Sequence, residues 1–263
     1  MNTKLHMITP NGQGLPVLAL HSLGLSAASW TAVAKAEPLD RGFFAIDQLG
    51  HGTLADINPT SFELLVSSAT EALMSMAAPC IHLVGHSLGG AVAAHLATGA
   101  SRSKIASLSL VATPFAGLAT FRDRAYAVAD GNMDAVAKET LSRWFSTDDA
   151  REAKRAAHGC LHNMTPKGFD AAWKALAEFE GFDALPGPVP PTQICSFEDD
   201  RSTPPDIGAR IAETLSQNTG DIAHHIIIGA GHMGVLTHPV QVATCLSAHW
   251  VNVENQLKSG SEA

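Results

Sequence analysis

The sequence predicts an α/β protein built on a mostly parallel, doubly wound sheet. Six short apolar segments recur along the 263 residues, and helical patterns separate most of them. Because these segments are almost continuously apolar, they are typical of strands that helices cover on both faces of a sheet. Regular alternation of strands and helices favours parallel pairing. The predicted strands are residues 15–21, 42–47, 80–86, 105–113, 191–197 and 224–230, and the predicted helices are 60–77, 88–100, 205–217 and 239–257.

One long segment, residues 114–190, interrupts this alternation. It shows no convincing strand pattern, its texture is helical, and it leads into the proline-rich return LPGPVPP at 185–191. We therefore expect an α/β core made of 1–113 and 191–263, and a helical lid, or cap subdomain, inserted between two strands at 114–190. Ligands of such sheets bind beyond the carboxyl ends of the strands, which is where a lid would lie.

Composition excludes several classes of function. The formal net charge is −8 and no run of Lys and Arg is present, so we expect neither nucleic acid nor a membrane surface as a partner. No apolar stretch reaches membrane-spanning length, no signal peptide is visible, and the four cysteines are scattered. These features lead us to expect a cytoplasmic protein with reduced thiols. The composition leaves the oligomeric state open.

A candidate nucleophile stands at the end of the strand 80–86. The strand runs into Gly-His-Ser-Leu-Gly, which places Ser87 between the strand and the next helix. A strand-to-helix turn this tight needs small residues on both sides of the serine, and Gly85 and Gly89 provide them. Such a turn exposes the Ser87 hydroxyl above the sheet, at the positive end of a helix.

A serine hydroxyl needs a base to activate it and an acid to orient that base. His232 follows the last predicted strand in a glycine-rich loop, so it is the best candidate for the base among the thirteen histidines. The acid should follow the preceding strand, where three carboxylates are adjacent, Glu198, Asp199 and Asp200. We select Asp200, and Asp199 is the alternative.

Acyl transfer also needs two backbone N–H donors for the oxyanion of its transition state. We expect Leu88, directly after the serine, to supply one, and Leu23, in the loop after the first predicted strand, to supply the other. In the expected lid, large apolar side chains either line a substrate pocket or hold the lid to the core. They are Trp144, Phe145, Met164, Phe169 and Trp173.

Charged and metal-type residues of the same segment give weaker signals. Arg124 or Arg143 could pair with a carboxylate of the substrate. His158, Cys160 and His162 lie close in sequence, but three such residues in a helical lid are more typical of surface and core positions than of a zinc site. We expect neither a metal nor an organic cofactor.

With these residues identified, the chain resembles the α/β-hydrolase fold superfamily over nearly its full length. DQLGHG at 47–52 is similar to the D-x-R-G-H-G turn of that superfamily, with Leu49 where arginine is usual. GHSLGG resembles its nucleophile elbow, and GAGHM at 229–233 resembles its histidine loop. DRSTPPD at 200–206 resembles its acid turn, and this likeness assigns Asp200 as the acid.

Within the superfamily the chain is most similar to 3-oxoadipate enol-lactonase-like hydrolases. HSLGLSAASW at 21–30 resembles the N-S-L-G loop of that group, with His21 in place of its usual asparagine. Two lid segments are also similar to that group's lid, LSRWFSTDDAR at 141–151 and HNMTPKGFDAAWKALAEFE at 162–180. This resemblance implies hydrolysis of a lactone or a small carboxylic ester.

Three functions are compatible with these patterns. The first is a serine esterase or lactonase that works through a Ser-His-Asp triad and an acyl-enzyme on a small-molecule substrate. The second keeps the fold and the triad but performs C–C bond hydrolysis, lyase chemistry or perhydrolysis. The third is a non-enzymatic receptor that binds a ligand on a hydrolase scaffold. An intact triad favours the enzymes.

Overall fold

The seven strands of the described residues form one sheet in a computed structural model, which describes residues 3–10, 12–126, 133–145, 150–217 and 221–261. The strand order is β1-β3-β2-β4-β5-β6-β7, with β1 (Leu5–Thr9), β2 (Val17–Leu20), β3 (Phe43–Ile46), β4 (Ile81–His86), β5 (Ile105–Val111), β6 (Thr192–Phe197) and β7 (Ile222–Ile227). β1 is antiparallel to β3, and every other neighbouring pair is parallel. The mostly parallel sheet predicted from the sequence is confirmed.

Helices cover both faces of this sheet. The helices of the described residues are α1 (Thr31–Ala36), α2 (Phe62–Ser75), α3 (Leu88–Thr98), α4 (Ala119–Tyr126), α5 (Met133–Trp144), α6 (Arg151–His162), α7 (Pro166–Ala177), α8 (Pro205–Ser216), α9 (Gly234–Thr237) and α10 (Pro239–Ser261). Leu18 and Leu20 of β2 enter one hydrophobic core together with residues of α2, α3 and α8. Val17 and Ala19 of the same strand enter a second core together with residues of α1 and α10. The sheet is therefore doubly wound, as predicted.

The structure also contains β1, α1 and the four-residue helix α9, which were not predicted, and its last strand is shifted. β1 was not predicted, because it is an edge strand whose residues are at most partly buried, and Met7 in its centre is 65% exposed. α1 was not predicted either, because six residues are too few for a helical period to be recognised. The last strand ends at Ile227 rather than at residue 230, and Ile228, which extended the apolar run, is 69% exposed.

Four helices, α4–α7, occupy the described part of the segment between β5 and β6. Residues 127–132 and 146–149 of the predicted lid lie outside the described residues. Apolar side chains of α5 and α7 join the same hydrophobic core as those of α3. The helical insertion thus packs directly on the α/β core. Among the described residues, no helix is long and apolar enough to cross a bilayer.

A buried ionic cluster attaches α10 to the sheet. Glu254 accepts hydrogen bonds from the Leu15 N–H (2.7 Å) and from Arg41, and its carboxylate lies 3.2 Å from His82 Nε2. Burial alone would raise the pKa of Glu254, but the bonds from His82, Arg41 and the Leu15 N–H outweigh it and hold that pKa well below its ordinary value. Because Leu15 and His82 begin or precede central strands, the cluster fixes the helix against the sheet.

Candidate active site

Ser87 occupies a strained turn between β4 and α3. Its backbone has φ 54° and ψ −114°, a conformation that side chains rarely adopt. A Cβ on Gly85 would lie 2.1 Å from the Gly89 carbonyl oxygen, and one on Gly89 would lie 2.3 Å from the Leu20 oxygen. Only glycine fits at both positions. The Ser87 N–H donates to the Val111 oxygen at 2.9 Å, which holds the turn on the edge of β5.

The structure brings the three predicted triad residues into one line. His232 Nε2 lies 3.2 Å from Ser87 Oγ, and His232 Nδ1 lies 2.7 Å from Asp200 Oδ2. Since a carboxylate only accepts hydrogen bonds, Nδ1 carries the proton and Nε2 presents its lone pair to the serine. His86, next to the serine, donates from Nε2 to the His232 backbone oxygen at 2.9 Å and so fixes the loop that holds the imidazole.

Asp200 is the carboxylate that faces the imidazole. Its Oδ1 accepts the N–H groups of Ser202 (2.7 Å) and Thr203 (2.9 Å), and its Oδ2 accepts the Thr203 hydroxyl at 2.7 Å. Burial raises the pKa of Asp200, but His232 and these donors outweigh burial and lower it below its ordinary value, so the group stays ionised. Glu198 and Asp199 are exposed, and Glu198 instead accepts the Gly229 N–H.

Two amide groups beside the serine are available as donors. Leu23 lies in the loop after β2 and lines the same small cavity as Ser87, and Leu88 is the first residue of α3. Neither N–H donates a hydrogen bond within the described chain, although the neighbouring Gly24 and Leu25 N–H groups both do. These amides are the two that the sequence indicated for an oxyanion.

Two further histidines lie beneath this loop. His21 and His51 are fully buried, with ring centroids 5.0 Å apart. Burial lowers the pKa of both side chains, that of His51 to about 3, so both imidazoles are neutral at neutral pH. Sequence reasoning did not assign either of them a role, because a buried histidine has no spacing that sets it apart. The one sequence feature that pointed to His51 was its place in the Gly-His-Gly of the 47–52 turn.

The family follows from comparison with known proteins. A model of the alpha/beta hydrolase family matches residues 17–244, which is most of the chain. The chain belongs to the alpha/beta hydrolase family. The predicted resemblance to this superfamily is thereby confirmed, and membership supports a hydrolase acting on a small molecule.

Individual relatives of this alpha/beta hydrolase vary in activity. A dihydrolipoyllysine-residue acetyltransferase component of the acetoin cleaving system of Pseudomonas putida is 30% identical over 168 residues, which cover 62% of this chain and 44% of that protein. RutD of Variovorax paradoxus (strain S110), to which carbamate hydrolysis is attributed, is 29% identical over 85% of this chain and 87% of its own length. The enol-lactonase of Burkholderia xenovorans LB400 shares the fold with a TM-score of 0.82 at 18% identity, covering 95% of this chain and 97% of that one.

A small cavity lies at the serine of this alpha/beta hydrolase. It has a volume of about 30 Å³, and Ser87 is only 9% exposed. Pockets that bind organic ligands typically measure about 300–1,000 Å³, so the cavity in this state is too small for such a substrate. Residues of the α/β core and of the helical insertion both line it. They are Ser22, Leu23, Ser87, Pro114, Phe121, Arg124, Trp144, Trp173, Leu176, Ser202, Thr203 and His232.

The five apolar residues predicted in the insertion fall into three places. Trp144 and Trp173 line the cavity at the serine. Phe145 lines a larger outer cleft of about 460 Å³, and Trp144 lines that cleft as well. Met164 and Phe169 belong to the hydrophobic core and line neither space among the described residues, so a substrate contact for them stays a prediction. Phe121 and Leu176 were missed because helix-to-sheet contacts leave no trace in local sequence.

Two donor side chains of the cavity wall, Arg124 and Trp173, differ in how their polar groups are satisfied. The Arg124 guanidinium stacks on Phe121 and Trp173, 5.5 Å and 5.0 Å from the ring centroids, and forms no ion pair within the described residues. Burial, followed by the nearby Arg143, lowers the pKa of Arg124 below its ordinary value. Trp173 Nε1 is buried without a hydrogen-bond partner in the described part of the chain.

The metal-type residues of α6 do not converge. His158 and His162 stack with centroids 6.1 Å apart, and His162 Nδ1 faces Asp134 at 3.1 Å. Cys160 instead lies 3.5 Å from the Ser26 hydroxyl. Among the described residues, no group of three His, Cys, Asp or Glu side chains is placed to hold a metal ion.

Proposed function

We propose that this chain is a serine hydrolase that cleaves small carboxylic esters or lactones through an acyl-enzyme. The observation that carries the proposal is the continuous line from Asp200 through His232 to Ser87, with distances of 2.7 Å and 3.2 Å. A neutral imidazole whose orientation is fixed by a buried carboxylate is what a serine hydroxyl needs to become a nucleophile.

During acylation one proton moves from Ser87 to His232 and then from His232 to the leaving alcohol. Ser87 Oγ attacks the ester carbonyl carbon while His232 Nε2 takes the hydroxyl proton, and the carbonyl oxygen becomes the oxyanion. The C–O bond to the alcohol then breaks, and His232 returns the proton to the leaving alkoxide. Asp200 stabilises the imidazolium between these two steps without itself taking the proton. In a lactone the leaving alkoxide stays tethered to the acyl group.

Deacylation repeats the sequence with water. His232 takes a proton from a water molecule, whose oxygen attacks the acyl carbon, and the ester bond to Ser87 breaks as the proton passes to its Oγ. In both stages the Leu23 and Leu88 amides would hold the oxyanion. Loss of one such donor typically costs about 2.7–4 kcal/mol of barrier stabilisation, so the loop after β2 should matter almost as much as the triad.

The walls of the cavity support two finer proposals about substrate. Because the cavity at the serine is far smaller than an ester substrate needs, the helical insertion acts as a lid that must move to admit one. Arg124 and the Trp173 Nε1–H are donors in a largely apolar site, which fits a substrate that carries a carboxylate or another strong acceptor away from the scissile bond.

Hydrolysis of p-nitrophenyl acetate and of a panel of lactones tests this function. The wild type should turn over at least one of them, Ser87→Ala should fall to the background rate, and a fluorophosphonate should add to Ser87 alone by mass spectrometry. Ser142→Ala, a change at an exposed serine of α5, is the matched control and should keep full activity. Equal rates for wild type and Ser87→Ala, with no phosphonate adduct, would refute an acyl-enzyme and leave a ligand receptor.

A further inference from the structure

We infer that His21 and His51 form a reciprocal brace that positions the oxyanion loop, defined here as residues 21–25. The inference rests on the proposed function, because it explains how the Leu23 amide is held for that chemistry. Neither histidine reaches the cavity at Ser87, so both act through the backbone and are positioning residues rather than catalytic ones.

The two imidazoles exchange equivalent bonds between two loops. His21 belongs to the oxyanion loop, and its Nε2 accepts the Gln48 N–H of the opposite loop at 2.9 Å. His51 belongs to that opposite loop, and its Nε2 accepts the Gly24 N–H of the oxyanion loop at 3.0 Å. Each Nδ1 donates to a carbonyl of its own loop, at 2.8 Å to Ser22 and at 3.0 Å to Leu49.

This pattern fixes the tautomer of both rings. A ring nitrogen that faces a carbonyl oxygen must carry a proton, and one that faces an amide N–H must not. A second proton on either ring would place an Nε2–H group directly opposite a backbone N–H, and the two donors would repel each other. The brace therefore requires two neutral imidazoles, and complete burial of both rings keeps them neutral.

The brace acts next to the proposed oxyanion donor. Gly24 and Leu23 are consecutive, so the bond from the Gly24 N–H to His51 fixes the peptide plane that follows the Leu23 amide. Gly24 has φ +81°, and a Cβ there would lie 2.6 Å from the Trp144 ring, which leaves the loop little room to shift on the side of the insertion. Farther along, Asp47 holds the Ala27 N–H at 2.8 Å.

Because His21, His51 and Asp47 all hold this part of the chain, the Leu23 N–H points in one fixed direction. Oxyanion donors work only when they are preorganised at about 2.7–3.1 Å from the developing charge, so a small shift of Leu23 would cost rate without affecting substrate binding in the ground state. His21 bonds the Ser22 carbonyl, in the same peptide group as the Leu23 N–H, and His51 holds the following peptide from the opposite loop.

The test compares His51→Asn with His51→Gln. A Gln side chain can place its oxygen near the position of Nε2 and accept the Gly24 N–H, whereas Asn is too short. We expect His51→Asn to lower kcat about 100-fold with little change in KM. Its affinity for an alkyl trifluoromethyl ketone, whose adduct with Ser87 carries an oxyanion, should fall by a similar factor. His51→Gln should recover most of both losses.

Hydrogen–deuterium exchange of the peptide that contains residues 21–25 gives a readout that does not depend on turnover. It should rise in His51→Asn and stay near the wild-type level in His51→Gln. His21→Ala, which removes the acceptor of the Gln48 N–H, supplies a second variant if His51→Asn does not fold, and it should show the same split between kcat and KM.

Two results would overturn the brace: unchanged exchange of that peptide in His51→Asn, or a lowered kcat with undiminished affinity for the ketone. Failure of the proposed function is a different outcome, in which the wild type itself shows no turnover and no phosphonate adduct.

Discussion

Asp200 is held by four hydrogen bonds, and only one of them goes to the proposed catalytic base. In Asp200→Asn the bonds from Ser202 and Thr203 can persist, so we expect a folded protein. The new amide can donate an N–H toward Nδ1 and so favour the tautomer that has no lone pair for Ser87. By analogy with this change in other triads, kcat should fall roughly 10⁴-fold.

The measurement is kcat for p-nitrophenyl acetate at neutral pH, with circular dichroism to verify folding. Asp199→Asn is the matched control, because its exposed carboxylate lies beside the acid in sequence but does not face the imidazole. A larger loss in Asp199→Asn than in Asp200→Asn would reassign the acid.

At the scale of single elements, α10 depends on Glu254 for its attachment to the sheet. Glu254→Gln removes one of the two carboxylates that pair with the buried Arg41, while Glu37 stays 3.3 Å from its Nε. Loss of a hydrogen bond to a charged group typically costs about 1.5–3 kcal/mol in the free energy of unfolding. We expect a loss of about 2 kcal/mol at pH 7, measured by urea denaturation. Glu213→Gln, at an exposed position of α8, should change that free energy by less than about 0.5 kcal/mol.

The same contribution should depend on pH. The pKa of Glu254 is lowered in the folded protein, so its stabilisation is complete above the pKa of the unfolded chain, about 4.5, and declines as the pH falls toward the folded value. The difference in unfolding free energy between wild type and Glu254→Gln should therefore shrink between pH 5 and pH 3. A difference that stays constant over this range would mean that Glu254 acts by packing alone.

Trp144, at the end of α5, forms a wall between the cavity at the serine and the outer cleft. Trp144→Ala should join the two spaces and admit longer acyl chains. We expect the ratio of kcat/KM for p-nitrophenyl hexanoate over acetate to rise about tenfold. Phe169→Ala, which loosens the insertion without opening this wall, should leave the ratio unchanged.

At the scale of the whole molecule, the insertion and the α/β core share one hydrophobic core. We therefore expect them to unfold together in urea. Tryptophan fluorescence separates the two parts, because Trp144 and Trp173 report on the insertion and Trp30 and Trp250 on the sheet. Variants that keep only one pair, with phenylalanine at the other two positions, should give the same midpoint. An earlier transition for the insertion would make it an independent subdomain.

The sequence could predict those parts of the fold whose physical cause is local. Continuous apolar runs revealed the buried strands, and the glycines around Ser87 revealed the turn, because sterics alone require them. β1 is only partly buried and carries no such signature. The reciprocal bonds of His21 and His51 were equally invisible, since two loops distant in sequence must first meet on neighbouring strands. The cavity wall depends on the packing of the insertion, which no local pattern encodes.

The strained backbone of Ser87 is needed for the proposed activity but lowers the stability of the folded protein. Its positive φ is one that glycine adopts freely and serine does not, and such conformations cost of order 1–3 kcal/mol. Ser87→Gly should therefore melt at a higher temperature than Ser87→Ala, with a gain of about 1 kcal/mol over wild type, while its esterase turnover vanishes. Random mutagenesis screened for heat tolerance alone would then be drawn toward the inactive glycine variant at this position.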